Sequence, residues 1–499
     1  MSMRISTTRS RFGYLWAFAI FALVACSCAP AHATTVTNVK FYGAVGDGVH
    51  DDSDAIYTAC RYIQTLTYKN HDAANAVYFP KGKYRIGKGH PKIAIDSYTL
   101  KGEKDAEINL EDPNAEIDIN GRNAQLLNVT INNTGTQKIS GVNFTATINA
   151  LISGITLNGW DTALNVTSST GLGIQYITVN IPSGSMAVQV RNQSSVNFSY
   201  CNFNGSGSGW AIRYNPLKNT ITADQCSFNN VYYGALGYNN SGITPKPGSL
   251  TMTNSKFDHC YASAEGDYLN TFVFNNNVVT NTLYGTWAHN TKTSTIQNNQ
   301  IVAPAYYGIY IERSGGYTIA GSSSTISGNS ITNVGSGYYG IYVQGSNVTI
   351  SDNTLTGNNA MYGIFAYNLA LNGNNIVFKN NKISNFSYGI SSEYCHDTQS
   401  INNTISGMQN NAIYSYHDTQ LTADGNKLSN CGLASGAYSV IYVIGADSTT
   451  SGQNYTVKNN SYTAADTSNL NYYIYVDAAN NADVHYSNNT TNTLLSNYP

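Results

Sequence analysis

The apolar positions of this chain recur in short alternating runs set between polar turns. From about residue 126 one phrase returns: a polar residue, often Asn, one intervening residue, an apolar residue, and later an aromatic-Gly-Ile-like segment. The apolar anchors are Ile131, Leu157, Val179, Phe203, Phe228, Phe257, Val279, Ile301, Ile331, Leu355, Ile383, Ile405, Leu428 and Tyr462, spaced 22 to 34 residues apart and most often 22 to 26. Repeats of that length predict a solenoid. The consensus of leucine-rich repeats is absent, and so are the amphipathic stretches of helical repeats. Short strands remain, stacked coil on coil at about 4.8 Å so that every backbone donor finds a partner. Stacking turns each repeated position into a column. Asn277, Asn299, Asn329, Asn353, Asn381, Asn403, Asn426 and Asn460 form one, best explained as a ladder of side-chain hydrogen bonds with no ligand role.

Ahead of the repeats the period changes. Ile56, Ala59, Cys60, Ile63 and Leu66 fall at helical spacing behind Asp51 and Asp52, which can cap a helix start, so this helix is expected to cover the first coil with its apolar face. Further upstream, Arg4, Arg9 and Arg11 precede an apolar run from Tyr14 to Ala25 that is short for a membrane span and reads as an export signal. Ala31-His32-Ala33 suits ordinary cleavage; Leu23-Val24-Ala25-Cys26 resembles a lipoprotein box that would leave a lipid anchor on Cys26. The organisation expected is therefore an export signal over 1–33, an N-terminal cap with the first coils over 34–125, and a β-helix over 126–499. The mature chain would be secreted, periplasmic or held at an outer membrane, with no transmembrane span.

Composition narrows the partners. Charged residues are 11% of the chain and the net charge is −2, which leaves no electrostatic footprint for nucleic acid. The 44 Gly and 39 Tyr suit strands and turns. Among Cys60, Cys201, Cys226, Cys260, Cys395 and Cys431 no zinc-type spacing occurs. Cys201 and Cys226 fall at one place in successive repeats, a disulfide or a buried thiol pair. No cofactor motif is present, and calcium enters only as an ion that a uronate polymer would bring with it.

The segment Phe41-Tyr42-Gly43-Ala44-Val45-Gly46-Asp47-Gly48-Val49-His50-Asp51-Asp52-Ser53-Asp54-Ala55-Ile56 resembles the opening signature of the pectate-lyase-like superfamily, and Val77-Tyr78-Phe79-Pro80-Lys81-Gly82-Lys83-Tyr84-Arg85-Ile86 its second signature. The resemblance implies an all-β fold, a single-stranded right-handed parallel β-helix, in a superfamily of polygalacturonases, lyases, epimerases and tailspike depolymerases. It does not choose among them. The polygalacturonase set of Asn-Thr-Asp, paired Asp, Gly-His-Gly and Arg-x-Lys motifs is absent, which argues against that hydrolase family. Asp47, Asp51, Asp52 and Asp54 read as turn and capping residues.

Alternate residues of a strand face opposite sides, so the segment after each aromatic-Gly step can be aligned. Ile309 and Ile311 point inward; Tyr310 and Glu312 point outward. The register gives one outward column of Arg213, Leu236, Ser263, Trp287, Tyr310, Tyr342, Phe365, Ser391, Tyr414 and Tyr442. Beside it runs a second of Asn215, Tyr238, Glu265, His289, Glu312, Gln344, Tyr367, Glu393, Tyr416 and Ile444. An aromatic row beside a polar row suits an extended glycan, with C–H faces on rings and hydroxyls on polar groups. Stacked Tyr that merely stabilise a solvent face are the plainer alternative.

Ionisable groups concentrate at Glu265, Asp267, His289, Glu312 and Arg313. Two coil steps between Glu265 and Glu312 are about 9 to 10 Å at the backbone, near the carboxylate spacing of inverting glycosidases. Three functions follow. The first is hydrolysis of an extracellular, capsular or cell-wall polysaccharide by that carboxylate pair, with His289 beside it. The second is a uronate lyase or epimerase built on Tyr284, His289 and Arg313, because Tyr284-Gly285-Thr286-Trp287-Ala288-His289 is similar to the Tyr-Gly-x-Asp-Pro-His segment of alginate epimerases. The third is a non-catalytic glycan-binding surface protein. Between Cys201 and Asn430 nine basic residues face ten acidic ones, which favours a neutral or weakly charged glycan.

Overall fold

The computed structural model describes residues 34–499 apart from 71–73, 136–139, 216–217, 238–245, 314–320, 369–374, 435–437, 446–452, 466–467, 478–481 and 493–499. The predicted export signal and its cleavage sites lie outside the described residues. The described part is a parallel β-solenoid with one α-helix, Ser53–Asn70. A typical coil is Leu269–Asn275, Val278–Thr280 and Tyr284–His289, after which Thr293–Gln297 begins the next. Each strand pairs in parallel with its counterpart one coil on, as Phe272 with Ser294, Val279 with Ile301 and Trp287 with Tyr310. The ladders run without a break across residue 126, for Gln125–Leu127 pairs with both Thr99–Gly102 and Leu151–Ser153.

Alternation along each short strand builds the core. Ile309 and Ile311 are buried while Tyr310 and Glu312 are half-exposed, as the sequence register predicts. Like residues stack inside as well, with Phe203, Phe228 and Phe257 lying ring on ring at 5.1 and 4.7 Å.

The turn before each anchor shows why the Asn repeats. Its outer residue adopts the left-handed conformation in coil after coil, as at Asn276 (φ 57), Asn298 (φ 55), Asp352 (φ 58) and Asn380 (φ 57), positions that Asn and Asp tolerate better than most. The next residue points inward. Down the solenoid that inner position changes from Ile177 to Cys201 and Cys226, then Ser255, then the Asn ladder. Asn353 Oδ1 accepts from the backbone N–H of Asn329 and from its Nδ2, both at 2.9 Å, while Asn353 Nδ2 donates to Ile326 O and Asn381 Oδ1, both at 3.0 Å. Asn489 extends the ladder one rung past the predicted end. Cys201 and Cys226, like the other four described cysteines, are buried free thiols.

The aromatic-Gly step has a steric cause. A Cβ on Gly308 would stand 2.5 Å from Gly340 O and 2.7 Å from Ile331 Cγ2, so the coils approach too closely there for a side chain.

At the N-terminal end the helix buries Ile56, Ala59, Cys60 and Ile63, with Leu66 partly buried, and packs on Val39–Tyr42, Ala76–Phe79 and Lys92–Asp96. The acidic residues ahead of it hold the turn. Asp52 accepts backbone N–H groups from Val45, Gly46 and Arg85, and Asp51 accepts from Ser53, Gly87 and Lys88.

Candidate active site

One outward face of the solenoid carries three parallel columns, and its ionisable residues meet in the coils 262–267, 284–289 and 307–312. The backbone pairing corrects the sequence alignment at the first of these. Glu265 pairs with Leu236 on one side and Trp287 on the other, and Asp267 pairs with His289, which pairs with Glu312. Glu265 therefore stands in the aromatic column and Asp267 in the polar one, two residues from the expected register, while Ser263 is buried out of both. Glu265 and Glu312 are offset along the strand as well as by two coils, about 12 Å apart at the backbone. Glu265 and Asp267, two residues apart on one strand, are about 7 Å apart.

Glu265 closes the end of an aromatic ladder. Behind Trp287 follow Tyr310, Tyr342, Phe365, Ser391, Tyr414, Tyr442 and Tyr475. A second column of Tyr284, Tyr307, Tyr339, Tyr362 and Tyr388 runs alongside. In this second column the coil of Glu265 has Ala262 where its neighbours have Tyr233 and Tyr284. Burial between Leu236 and Trp287 pushes the Glu265 carboxyl up to about 7, partly offset by the Tyr233 hydroxyl and the His289 charge, while Asp267 and Glu312 add to the rise. Its Oε2 is buried with no hydrogen-bond partner among the described residues, and so is Trp287 Nε1 in the next coil. An acid so placed still carries its proton in about half of the molecules at pH 7.

His289 is fixed at both ring nitrogens: Nδ1 is 3.0 Å from Asp267 Oδ1, and Nε2 is 2.9 Å from Asn290 Nδ2. Burial alone would pull its pKa down, but Asp267, with Glu312 and Glu265 behind it, raises it above the ordinary value. The cluster thus combines a carboxyl that keeps its proton up to about pH 7 with a carboxylate–imidazole pair. Such splitting of titrating groups is what acid–base chemistry requires.

Known families match stretches of the chain. A family model described as rhamnogalacturonase A/epimerase, pectate lyase-like, matches residues 36–265, and one described as right handed beta helix region matches 307–462. The chain is a member of the right-handed β-helix superfamily. The pectate-lyase-like match gives this β-helix a carbohydrate-active kinship over its N-terminal half. A model of the periplasmic copper-binding protein NosD matches 211–339; the described residues hold no cluster of three or more His, Cys, Asp or Glu arranged for a metal. No curated protein matches the chain. Among solved structures, the β-helix is similar to the surface protein and adhesin PfbA of Streptococcus pneumoniae, at 14% identity over 77% of this chain and 100% of that one with a TM-score of 0.42. The hyperthermoactive exopolygalacturonase of Thermotoga maritima matches at 10% over 79% and 91% (0.40), and the tailspike of E. coli bacteriophage HK620 at 11% over 91% and 78% (0.43). Likenesses at this level carry no argument about activity.

Two expectations change on this β-helix. The predicted aromatic column is not uniform: Trp287 stacks on Tyr310 at 5.1 Å and 24°, whereas Tyr342 meets Tyr310 edge-on at 5.0 Å and 78°. In the column alongside, Tyr307 stacks on Tyr284 and Tyr339 at 5.5 and 5.2 Å with interplanar angles of 13° and 5°, so these rings cover one another and present edges and hydroxyls. Trp287, whose ring packs on Tyr284 and Tyr310, begins the column next to Glu265. Arg313 does not join the cluster either. It is buried, donates through Nη1 to Ser346 O at 3.3 Å, and packs where a Cβ of Gly345 would be; burial alone lowers its pKa to about 10, with no carboxylate acting on it.

The remaining predicted residues lie where the alignment puts them. Tyr367, Glu393 and Tyr416 continue the polar column, and Gln344 follows the Ile311 partner Val343 to stand beside Glu312. Burial raises the Glu393 carboxyl. Tyr238 lies outside the described residues. Sequence reasoning missed Tyr233 and Asn290, although Tyr233 opens an aromatic-Gly step, the signal that finds the second tyrosine column.

Proposed function

We propose that this β-helix is an exported enzyme that hydrolyses a polysaccharide lying along the three-column face. The observation that carries this reading is the Glu265 carboxyl, held up at about 7 by burial and about 7 Å at the backbone from the Asp267 carboxylate on the same strand. Glu265 acts as general acid and protonates the departing glycosidic oxygen. Asp267, oriented by His289, acts as general base toward water on the opposite face of the sugar, an inverting arrangement that requires the two carboxyl groups to stand about 6.5 to 9.5 Å apart. Glu312 supports the charge of His289. Tyrosine hydroxyls and the half-buried polar groups of Gln344 and Glu393 bond sugar hydroxyls farther along the face, with no cofactor.

The lyase or epimerase reading, built on Tyr284, His289 and Arg313, has less support because Arg313 is buried against Ser346. The test is reducing-end release from a panel of bacterial polysaccharides, with ultraviolet absorbance of unsaturated sugar followed in parallel. Hydrolysis predicts reducing ends without absorbance, lost in Asp267→Asn. Loss in Glu312→Gln with Asp267→Asn active would move the base to Glu312, and absorbance lost in His289→Ala would establish elimination in place of hydrolysis.

A further inference from the structure

Charge along the three-column face is banded. Near its N-terminal end Glu116, Asp118 and Asp161 line an open recess of about 560 Å³, and farther on stands the acidic cluster around Glu265. Between them Gln189, Arg191, Asn192, Arg213 and Asn215 line a recess of about 240 Å³ without any carboxylate. Gln189 pairs with Arg213 across adjacent coils, Arg191 extends the strand of Gln189, and Asn215 follows that of Arg213. These four form a two-by-two patch of outward side chains. Arg191 Nη2 donates to Gln189 Oε1 at 2.6 Å, and Arg213 lies over Trp210, 5.7 Å from its ring centre, so both guanidinium groups are positioned. The column of Arg213 continues through Leu236 to Glu265, which puts the patch two rungs, about 10 Å, from the acid.

We infer that this patch is a subsite for a carboxylate-bearing sugar, bound two coils on the N-terminal side of Glu265. A planar guanidinium meets a carboxylate with two parallel hydrogen bonds, and the amides of Gln189, Asn192 and Asn215 supply further donors. The acidic bands on either side repel a carboxylate placed one or two rungs out of register, so the patch fixes which glycosidic bond lies over Glu265. The charge count between Cys201 and Asn430 misses this, because Arg191 and the first acidic band lie ahead of it. The inference rests on the proposal that a glycan occupies this face.

The test is calorimetric binding by Glu265→Gln protein, which needs no cleavage and therefore stands or falls separately from the hydrolytic mechanism. The probes are polygalacturonate, alginate and hyaluronan, each beside its carboxyl-reduced form, with dextran sulfate beside dextran as the sulfate arm. At least one carboxylated polymer is expected to bind more tightly than its reduced form. Arg191→Gln/Arg213→Gln added to the same protein is expected to weaken that binding about tenfold or more, the loss of one or two charge-assisted hydrogen bonds, with an unchanged melting temperature. Arg213→Lys should restore only part of it. Preference for dextran sulfate alone, equal binding of native and reduced polymers, no binding to any of them, or a double-Gln variant that binds as tightly as its parent would each overturn the assignment.

Discussion

Replacing Trp287 with Ala should lower the pKa of a residue that is not mutated. The Glu265 carboxyl stands at about 7 against an ordinary 4.5, and a rise of roughly 2.5 units corresponds to about 3 kcal/mol disfavouring the ionised form at 1.36 kcal/mol per unit. Burial is its leading cause, and along its column Glu265 is flanked by Leu236 and Trp287. Removing one of these two apolar flanks admits water and should bring the carboxyl down by about one unit. Tyr233→Phe and His289→Ala should move it the other way, since both groups favour the ionised form. Carbon-13 NMR titration of labelled glutamate carboxyls measures all three shifts, with Glu265→Gln assigning the resonance. An unshifted Glu265 titration in Trp287→Ala, or a titration near 4.5 in the wild type, would refute the account of how this acid is held neutral.

Other consequences can be measured without a substrate. Asn353→Ala removes four hydrogen bonds from the middle of the buried ladder and strands donors on Asn329, so it should cost about 3 kcal/mol or more, read as a lowered denaturation midpoint. Asp418 is fully buried, bonded to Ser392, Ser415 and the backbone of Cys395, and burial pushes its carboxyl up to about 7. A raised carboxyl pKa adds stability that is fully present below the unfolded value near 4 and is lost as pH rises through about 7. The protein should therefore melt higher at pH 5 than at pH 8, and Asp418→Asn should flatten that slope. The six described cysteines, all buried and free, should be inert to a thiol reagent in the native state and react on unfolding.

The fold was legible because its constraints repeat. The Asn of each turn, the Gly of each close coil contact and the alternation of Ile with Tyr all recur at a nearly constant spacing, and each has a local steric or hydrogen-bonding cause. The site was legible in membership and misread in register. Coil 262–267 carries Ser263 where others have the glycine of the aromatic-Gly step and Ala262 where they have the aromatic ring, so the landmark is missing there. A slip of two residues keeps every side chain on its own face, and alternation cannot detect it. The sequence also does not say which way a ring turns. Tyr310 and Tyr342 read as neighbouring sugar platforms, yet their rings meet edge-on at 5.0 Å and 78°. Arg313 follows Glu312 directly, yet its side chain goes to Ser346, because successive residues leave a strand on opposite sides.

Whether the face cuts a glycan or only holds one is decided by comparing the wild type with Glu265→Gln on one polysaccharide that both bind. Binding is followed by calorimetry and chain cleavage by reducing ends. The account predicts equal affinity within a few-fold and loss of cleavage in the variant. Cleavage that persists in Glu265→Gln, or binding by the wild type with no reducing ends released, would contradict it.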